Sequence, residues 1–193
     1  MPPKVRFEKK DIINAAFALA REKGIDAVNA RSVASEIGCS TQPIFRVFEN
    51  MDQLKECVLD CAVQQFIAYV DGSRSTSETE YESIGMAYLM FALEEPNLFH
   101  MVFMYKRDGA IKDVLSNKGK VICALVEKTS FTQEQAGIIR RHMLTHTYGL
   151  AAMMATGQVE YTREELHELL ILEYRAIVAA LLWEDAKSIM PPV

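Results

Sequence analysis

Apolar residues recur at three- and four-residue spacing along nearly all of this chain, and no segment alternates apolar and polar residues long enough to build a strand. That periodicity restricts the fold to packed helices, each burying one stripe against its neighbours. The first stripe is Ile12, Ile13, Ala16, Phe17 and Ala20, and it stops at Gly24. A second, short helix starts after Asn29 as N-cap, buries Val33, Ala34 and Ile37, and ends at Gly38. A third follows at once, with Ser40 as its expected N-cap, Pro43 in the first turn and Ile44 and Phe48 pointing inward. Asn50 with Gln53 then opens a fourth helix that runs to about residue 70.

Residues 71–76 (DGSRST) combine Gly with small polar side chains and carry no periodic pattern, so they read as a linker. Beyond them, Ser77 and Glu80 form a capping box for a helix whose middle (MAYLMFAL) is apolar on every side. Pro96 ends that helix and opens the next (LFHMVFMYK). Three more helices are expected at about 110–128, 132–156 and 162–184, the last two opened by Thr132 with Gln135 and Thr162 with Glu165. The expected fold is all-α with about nine helices: an N-terminal three-helix domain over residues 1–50, a connecting helix over 51–70, and a C-terminal helical domain, the whole of 51–193 being assigned to ligand binding and dimerisation.

With 193 residues, 50% of them hydrophobic and 24% charged, the chain can bury a real core without disulfides or metals. Its longest uninterrupted apolar stretch, 176–183, is far below the roughly 18 residues needed to span a bilayer, and MPPKVRFEKK has no apolar run behind its charges. A cytoplasmic protein with no membrane partner is expected. Cys39, Cys57, Cys61 and Cys123 lack CxxC spacing, which fits reduced thiols. The net charge of −5 argues at first against nucleic acid. The first 50 residues, however, hold 8 Lys and Arg against 6 Asp and Glu, and the remaining 143 hold 13 against 20, so the acidity belongs to the C-terminal part.

A short helix, a sharp turn at Gly38 and a second short helix beginning Ser-Thr-Gln, both resting on an amphipathic first helix, form the pattern of a helix-turn-helix DNA reader. Thr41 and Gln42 occupy the exposed first turn, from which side chains reach base edges, while Ile44 and Phe48 anchor the helix. The stretch DIINAAFALAREKGIDAVNARSVASEIGCSTQPIFRVFENMDQL resembles the DNA-binding domain of TetR-type (TetR/AcrR-like) transcriptional repressors over about 45 residues without gaps. Ala15, Ala16, Gly24, Arg31, Ala34, Gly38, Ser40, Phe45 and Phe48 carry the likeness; farther on, the Ala-Tyr-Leu-x-Phe-Ala-Leu-x-x-Pro run at 87–96 is similar to one subgroup of ligand-binding domains.

The resemblance implies DNA contacts from Asn29 and Arg31 on the second helix and from Ser40, Thr41, Gln42, Phe45 and Arg46 around the third. Two positions depart from the family pattern. Phe45 stands where the family often has a Tyr that contacts phosphate, and Met51 stands where it usually has Lys. Phosphate binding would then lean on Lys4, Arg6, Lys9, Lys10 and Arg46, giving an affinity that depends strongly on salt.

In the C-terminal part, Tyr88, Phe91, Phe99, His100, Phe103 and Met104 belong to a Met- and aromatic-rich wall suited to a small apolar or aromatic ligand, although each is also a candidate for plain core. His142 and His146, one turn apart, are added to that candidate ligand site; two ligands alone do not define a metal site, and neither metal nor cofactor is expected. Ile139, Met143, Leu150, Met154, Leu170, Tyr174, Ile177 and Leu181 on the last two helices are the candidate dimer interface, also as the resemblance suggests, because one reader helix offers few base contacts and a dimer offers two half-sites. No phosphate loop, nucleophile elbow or carboxylate pair supports catalysis. The expected function is a homodimeric repressor that binds a pseudo-palindromic double-stranded operator and is released by a small-molecule effector. The alternatives are a thiol- or metal-triggered regulator of the same fold, with Cys57 and Cys61 on one helix face, and a helical carrier or enzyme without a DNA role.

Overall fold

The computed structural model describes residues 7–73, 80–105 and 131–189, and all regular structure among them is helical. It comprises α1 (Lys9–Lys23), a single 3-10 turn (Ile25–Ala27), α2 (Ala30–Glu36), α3 (Gln42–Val47), α4 (Met51–Gly72), α5 (Glu80–Glu94), α6 (Pro96–Phe99) running into a π-helical turn (His100–Met104), α7 (Gln133–Ala155) and α8 (Arg163–Ile189). The helix expected over 110–128 and the Ser77 cap lie outside the described residues, as do Lys4, Arg6 and Cys123. Two compact units are formed. One joins Met1–Ala68 with Glu95–Asp108, and the other joins Tyr69–Glu94 with Gly109–Val193.

In the first unit α1 buries Ile12, Ala16, Leu19 and Ala20, so Leu19 replaces Ile13 and Phe17 on the innermost stripe. Asn29 caps α2 as expected. Its Oδ1 accepts from the N–H groups of Arg31 and Ser32, both at 3.1 Å, and Ser32 Oγ accepts in return from the Asn29 N–H at 3.1 Å. The far end of α2 is closed by a Schellman turn: Cys39 N–H donates to Ala34 O at 2.9 Å, and Gly38 N–H donates to Ser35 O at 3.2 Å. This turn requires Gly38 at φ 68°, where a side chain would be strained.

The start of α3 differs from expectation. Its N-cap is Thr41, not Ser40, and no side chain caps it. With Ser40 as cap the third helical residue would be Pro43, which has no N–H to give to the serine oxygen. The helix instead begins one residue later, with Pro43 in its first turn and Ile44 N–H donating to Thr41 O at 3.1 Å. Asn50 Oδ1 accepts from Gln53 N–H at 2.9 Å to open α4, which buries Leu54, Val58, Leu59, Ala62 and Phe66. Phe66, Phe99 and Phe103 form one aromatic cluster, with centroids 4.9 Å (Phe66–Phe103) and 4.8 Å (Phe99–Phe103) apart.

In the second unit α5 packs against both α7 and α8. Gly85 lies at the α5–α8 contact: a Cβ there would sit 3.0 Å from a methyl of Leu170, which would have to shift. The capping boxes expected at the starts of α7 and α8 form. Thr132 Oγ1 accepts from Gln135 N–H at 3.2 Å, and Thr162 Oγ1 accepts from Glu165 N–H at 3.2 Å, each returned by the partner side chain. Tyr69 packs edge-on against Phe91 at 5.3 Å and donates its hydroxyl to Glu94 at 2.7 Å.

Candidate nucleic-acid interface

Because Ile44 and Phe48 are fully buried, the opposite side of α3 is fixed facing outward. Gln42, Phe45 and Arg46 are exposed on that side, Ser40 is exposed in the preceding turn, and Thr41 is half-buried. At the start of α2, Asn29 and Arg31 are exposed as well. The side chain of Asn29 is already engaged: besides its two capping bonds, its Nδ2 donates to Ala27 O at 3.3 Å. Its main effect is thus to hold the start of α2 in place, with Arg31 as an exposed cation beside it. Lys9 Nζ lies 5.4 Å from the centre of the Phe48 ring, a cation–π contact that ties α1 to the end of α3. The exposed Arg31, Ser40, Gln42 and Arg46 are of the side-chain types that contact phosphates and base edges in DNA readers.

A second construction in this unit was not visible in the sequence. Asn97 Nδ2 donates to the carbonyls of Arg21 at 2.9 Å and Glu22 at 3.1 Å, closing the C-terminal end of α1 with a residue of α6. Beside it Arg21 Nε donates to Glu95 at 2.8 Å, and the other guanidinium nitrogen pairs with the second carboxylate oxygen. That pairing raises the Arg21 pKa further above its already high value. The only local signal was a pair of polar residues flanking Pro96; the partners lie more than 70 residues away in the chain.

The candidate ligand residues separate between the two units. Phe99 and Phe103 are buried in the aromatic cluster of the first unit, where His100 and Met104 are exposed. Tyr88 and Phe91 are buried in the second unit, where burial, with Tyr148 as a lesser cause, pushes the Tyr88 phenol well above its usual pKa. His142 is exposed, whereas His146 is half-buried, with Nδ1 3.9 Å from a Glu173 carboxylate oxygen and Nε2 shielded from solvent without a hydrogen-bond partner among the described residues. Among the described residues no three metal-ligating side chains gather at one point. Cys57 and Cys61 are half-buried free thiols, and burial raises the Cys61 pKa, with Cys57 and then Asp60 adding to it.

Of the candidate dimer residues, Ile139, Met143, Leu150, Met154, Leu170 and Ile177 are buried inside the single chain, and Tyr174 and Leu181 are half-buried. The outward apolar side chains of these helices are others: Leu172 is 66% exposed, Trp183 62%, Leu182 56% and Tyr148 37%.

The geometry of α2, the turn at Gly38 and α3 is that of a helix-turn-helix, a motif that reads DNA. The model of the family described as bacterial regulatory proteins, tetR family, matches residues 12–56. The match identifies residues 12–56 as a TetR-type DNA-binding domain. The protein is 19% identical over 193 residues to the HTH-type transcriptional regulator YobS of Bacillus subtilis (strain 168), covering 98% of this chain and 100% of that one. Its fold is similar to that of a TetR-like transcriptional regulator from Rhodococcus sp. RHA1, with a TM-score of 0.65, 14% identity, and 93% and 98% of the two chains covered. A TetR variant of Acinetobacter baumannii AYE, solved in complex with minocycline, is similar with a TM-score of 0.58 and 14% identity over 90% of this chain and 96% of that one. Among the described residues no helix is long and apolar enough to cross a membrane.

Proposed function

We propose that the protein is a cytoplasmic, ligand-responsive repressor that binds a pseudo-palindromic operator as a homodimer, with α3 of each protomer in the major groove. The observation that carries this reading is the outward set Gln42, Phe45 and Arg46 on a helix whose inner face, Ile44 and Phe48, is locked in the core. Gln42 reads a base edge; Arg31, Ser40, Thr41 and Arg46, with Lys4, Arg6 and Lys10, hold phosphates. Two readers joined in a dimer meet half-sites roughly 34–36 Å apart.

The inner stripes of α7 and α8 are taken up within the protomer, so the partner subunit is met by the outward stripe. On α8 this is Leu172, Ala176, Ala179 and Trp183, spaced four, three and four residues apart and therefore on one face.

For the effector, the second unit supplies Tyr88 and Phe91 as apolar surface and the unpartnered Nε2 of His146 as a polar anchor. The minocycline complex of a protein with this fold supports a small organic effector. Binding releases DNA if the effector favours a conformation in which the readers no longer match the half-sites, which needs only different affinities for two states.

Fluorescence anisotropy of the full-length protein with duplexes from its own upstream region tests this reading. Specific binding that exceeds binding to random duplex, and that Gln42→Ala weakens by roughly 1–3 kcal/mol, is expected. Equal affinity for specific and random DNA would overturn it. A thermal-shift screen of small molecules, followed by operator competition, tests the effector.

A further inference from the structure

Phe45 is 52% exposed, and among the described residues that precede Ile67 it is the only large apolar side chain classed as exposed. The core contacts of α3 are already made by Ile44 and Phe48, so nothing in the fold of this unit calls for a phenyl ring at this place. The ring has no donor or acceptor and cannot hydrogen-bond a phosphate. It sits three residues after Gln42, so the two side chains stand next to each other on the helix surface. Their axial offset is about 4.5 Å at 1.5 Å per residue, comparable with the 3.4 Å separation of successive base pairs on one strand. The amide of Gln42 matches the N6 and N7 pair of adenine. The one apolar group on the major-groove edge of B-form DNA is the thymine C5 methyl.

We propose that Phe45 reads thymine: its ring packs on the C5 methyl of a thymine beside the base pair contacted by Gln42, so that each operator half-site carries a thymine at one fixed position. Arg46, next in sequence, provides charge attraction to the adjoining phosphates. This inference rests on the operator-binding reading above and adds the chemistry of one base step to it.

The experiment starts from a duplex selected out of a randomised library by the full-length protein. Each thymine of a selected half-site is then replaced singly by deoxyuridine, which keeps the base pair and removes only the methyl. At one position the replacement should weaken binding about fourfold, the effect of withdrawing one methyl from apolar contact. Phe45→Ala should bind the thymine and uracil duplexes equally at that position, while Phe45→Tyr should retain the discrimination. Uracil tolerated at every position, or a penalty that persists in Phe45→Ala, overturns the assignment and leaves operator binding standing. Failure to enrich any sequence overturns operator binding and the assignment with it. The uracil scan uses the unaltered protein, so tolerance at every position overturns the assignment even if a variant folds poorly.

Discussion

Replacing Asn97 by alanine removes the two hydrogen bonds that close the C-terminal end of α1. The carbonyls of Arg21 and Glu22 are among the last four of that helix and have no partner within it, so Asn97 Nδ2, at 2.9 and 3.1 Å, is their protein donor. A net hydrogen bond is worth about 0.5–1.5 kcal/mol, and these carbonyls lie close enough to solvent to regain water, so the pair is worth about 1–2 kcal/mol. The neighbouring Arg21–Glu95 pair adds little, because the Arg21 side chain is 51% exposed; about 0.5 kcal/mol is the expected scale. At roughly 2–4 °C per kcal/mol for a chain of this size, Asn97→Ala should lower the melting temperature by about 3–6 °C, and Glu95→Ala by about 1–2 °C. Differential scanning calorimetry measures both. Asn97→Asp sharpens the test, since it preserves size while directing a carboxylate at two carbonyl oxygens beside Glu95; it should cost more than alanine. Asn97→Asp as stable as the unaltered protein would refute the claim that α6 closes α1 through this amide. Faster hydrogen exchange confined to the end of α1 and to α6 in Asn97→Ala would locate the effect.

Other expectations follow from single features. Gly38→Ala places a Cβ at φ 68°, where nothing lies within 4 Å, so the cost is backbone strain of about 1–2 kcal/mol rather than a clash; urea denaturation should show it, with Gly38→Asn less affected. Leu172→Glu with Trp183→Glu should give a folded monomer by analytical ultracentrifugation, because both side chains lie outside the protomer core; an unchanged dimer would move the interface elsewhere. The buried Tyr88 phenol holds its proton more tightly folded than unfolded, so its contribution is complete below about pH 10 and is lost as the pH rises above it, at up to about 1.4 kcal/mol per pH unit. Tyr88→Phe should flatten the stability curve measured by urea unfolding between about pH 9 and pH 11, and an unaltered slope would argue that the phenol ionises freely.

The first unit was largely legible because its signals are local. Asn29 and Gly38 each dictate a cap or a turn within six residues, and the periodic stripe of α2 to α4 then orients Gln42 and Arg46 without reference to anything distant. The misplaced start of α3 was also a local matter, decided by the N–H that Pro43 lacks. The candidate ligand residues were harder. Phe99 and Tyr88 both stand in apolar, Met-rich runs, yet one joins the aromatic cluster of the first unit and the other the helical core of the second; no periodicity separates them, because α5 and α6 are joined directly at Glu95.

Helix content, the caps at Thr132 and Thr162, the reader motif and the basic-to-acidic division of charge were all determined by the sequence alone, since each depends on neighbours within about one or two turns. Tertiary structure decided which apolar faces remain outside. Met143 and Leu170 are buried within the single chain, in a unit where α5 packs on α7 and α8, while Leu172 and Trp183 stay exposed. It also brought Asn97 and Glu95 to the end of α1, across more than 70 residues. The physical reason is the same in both cases. A helix declares its apolar stripe through its own spacing, but the partner that covers the stripe is chosen by packing between segments distant in the chain.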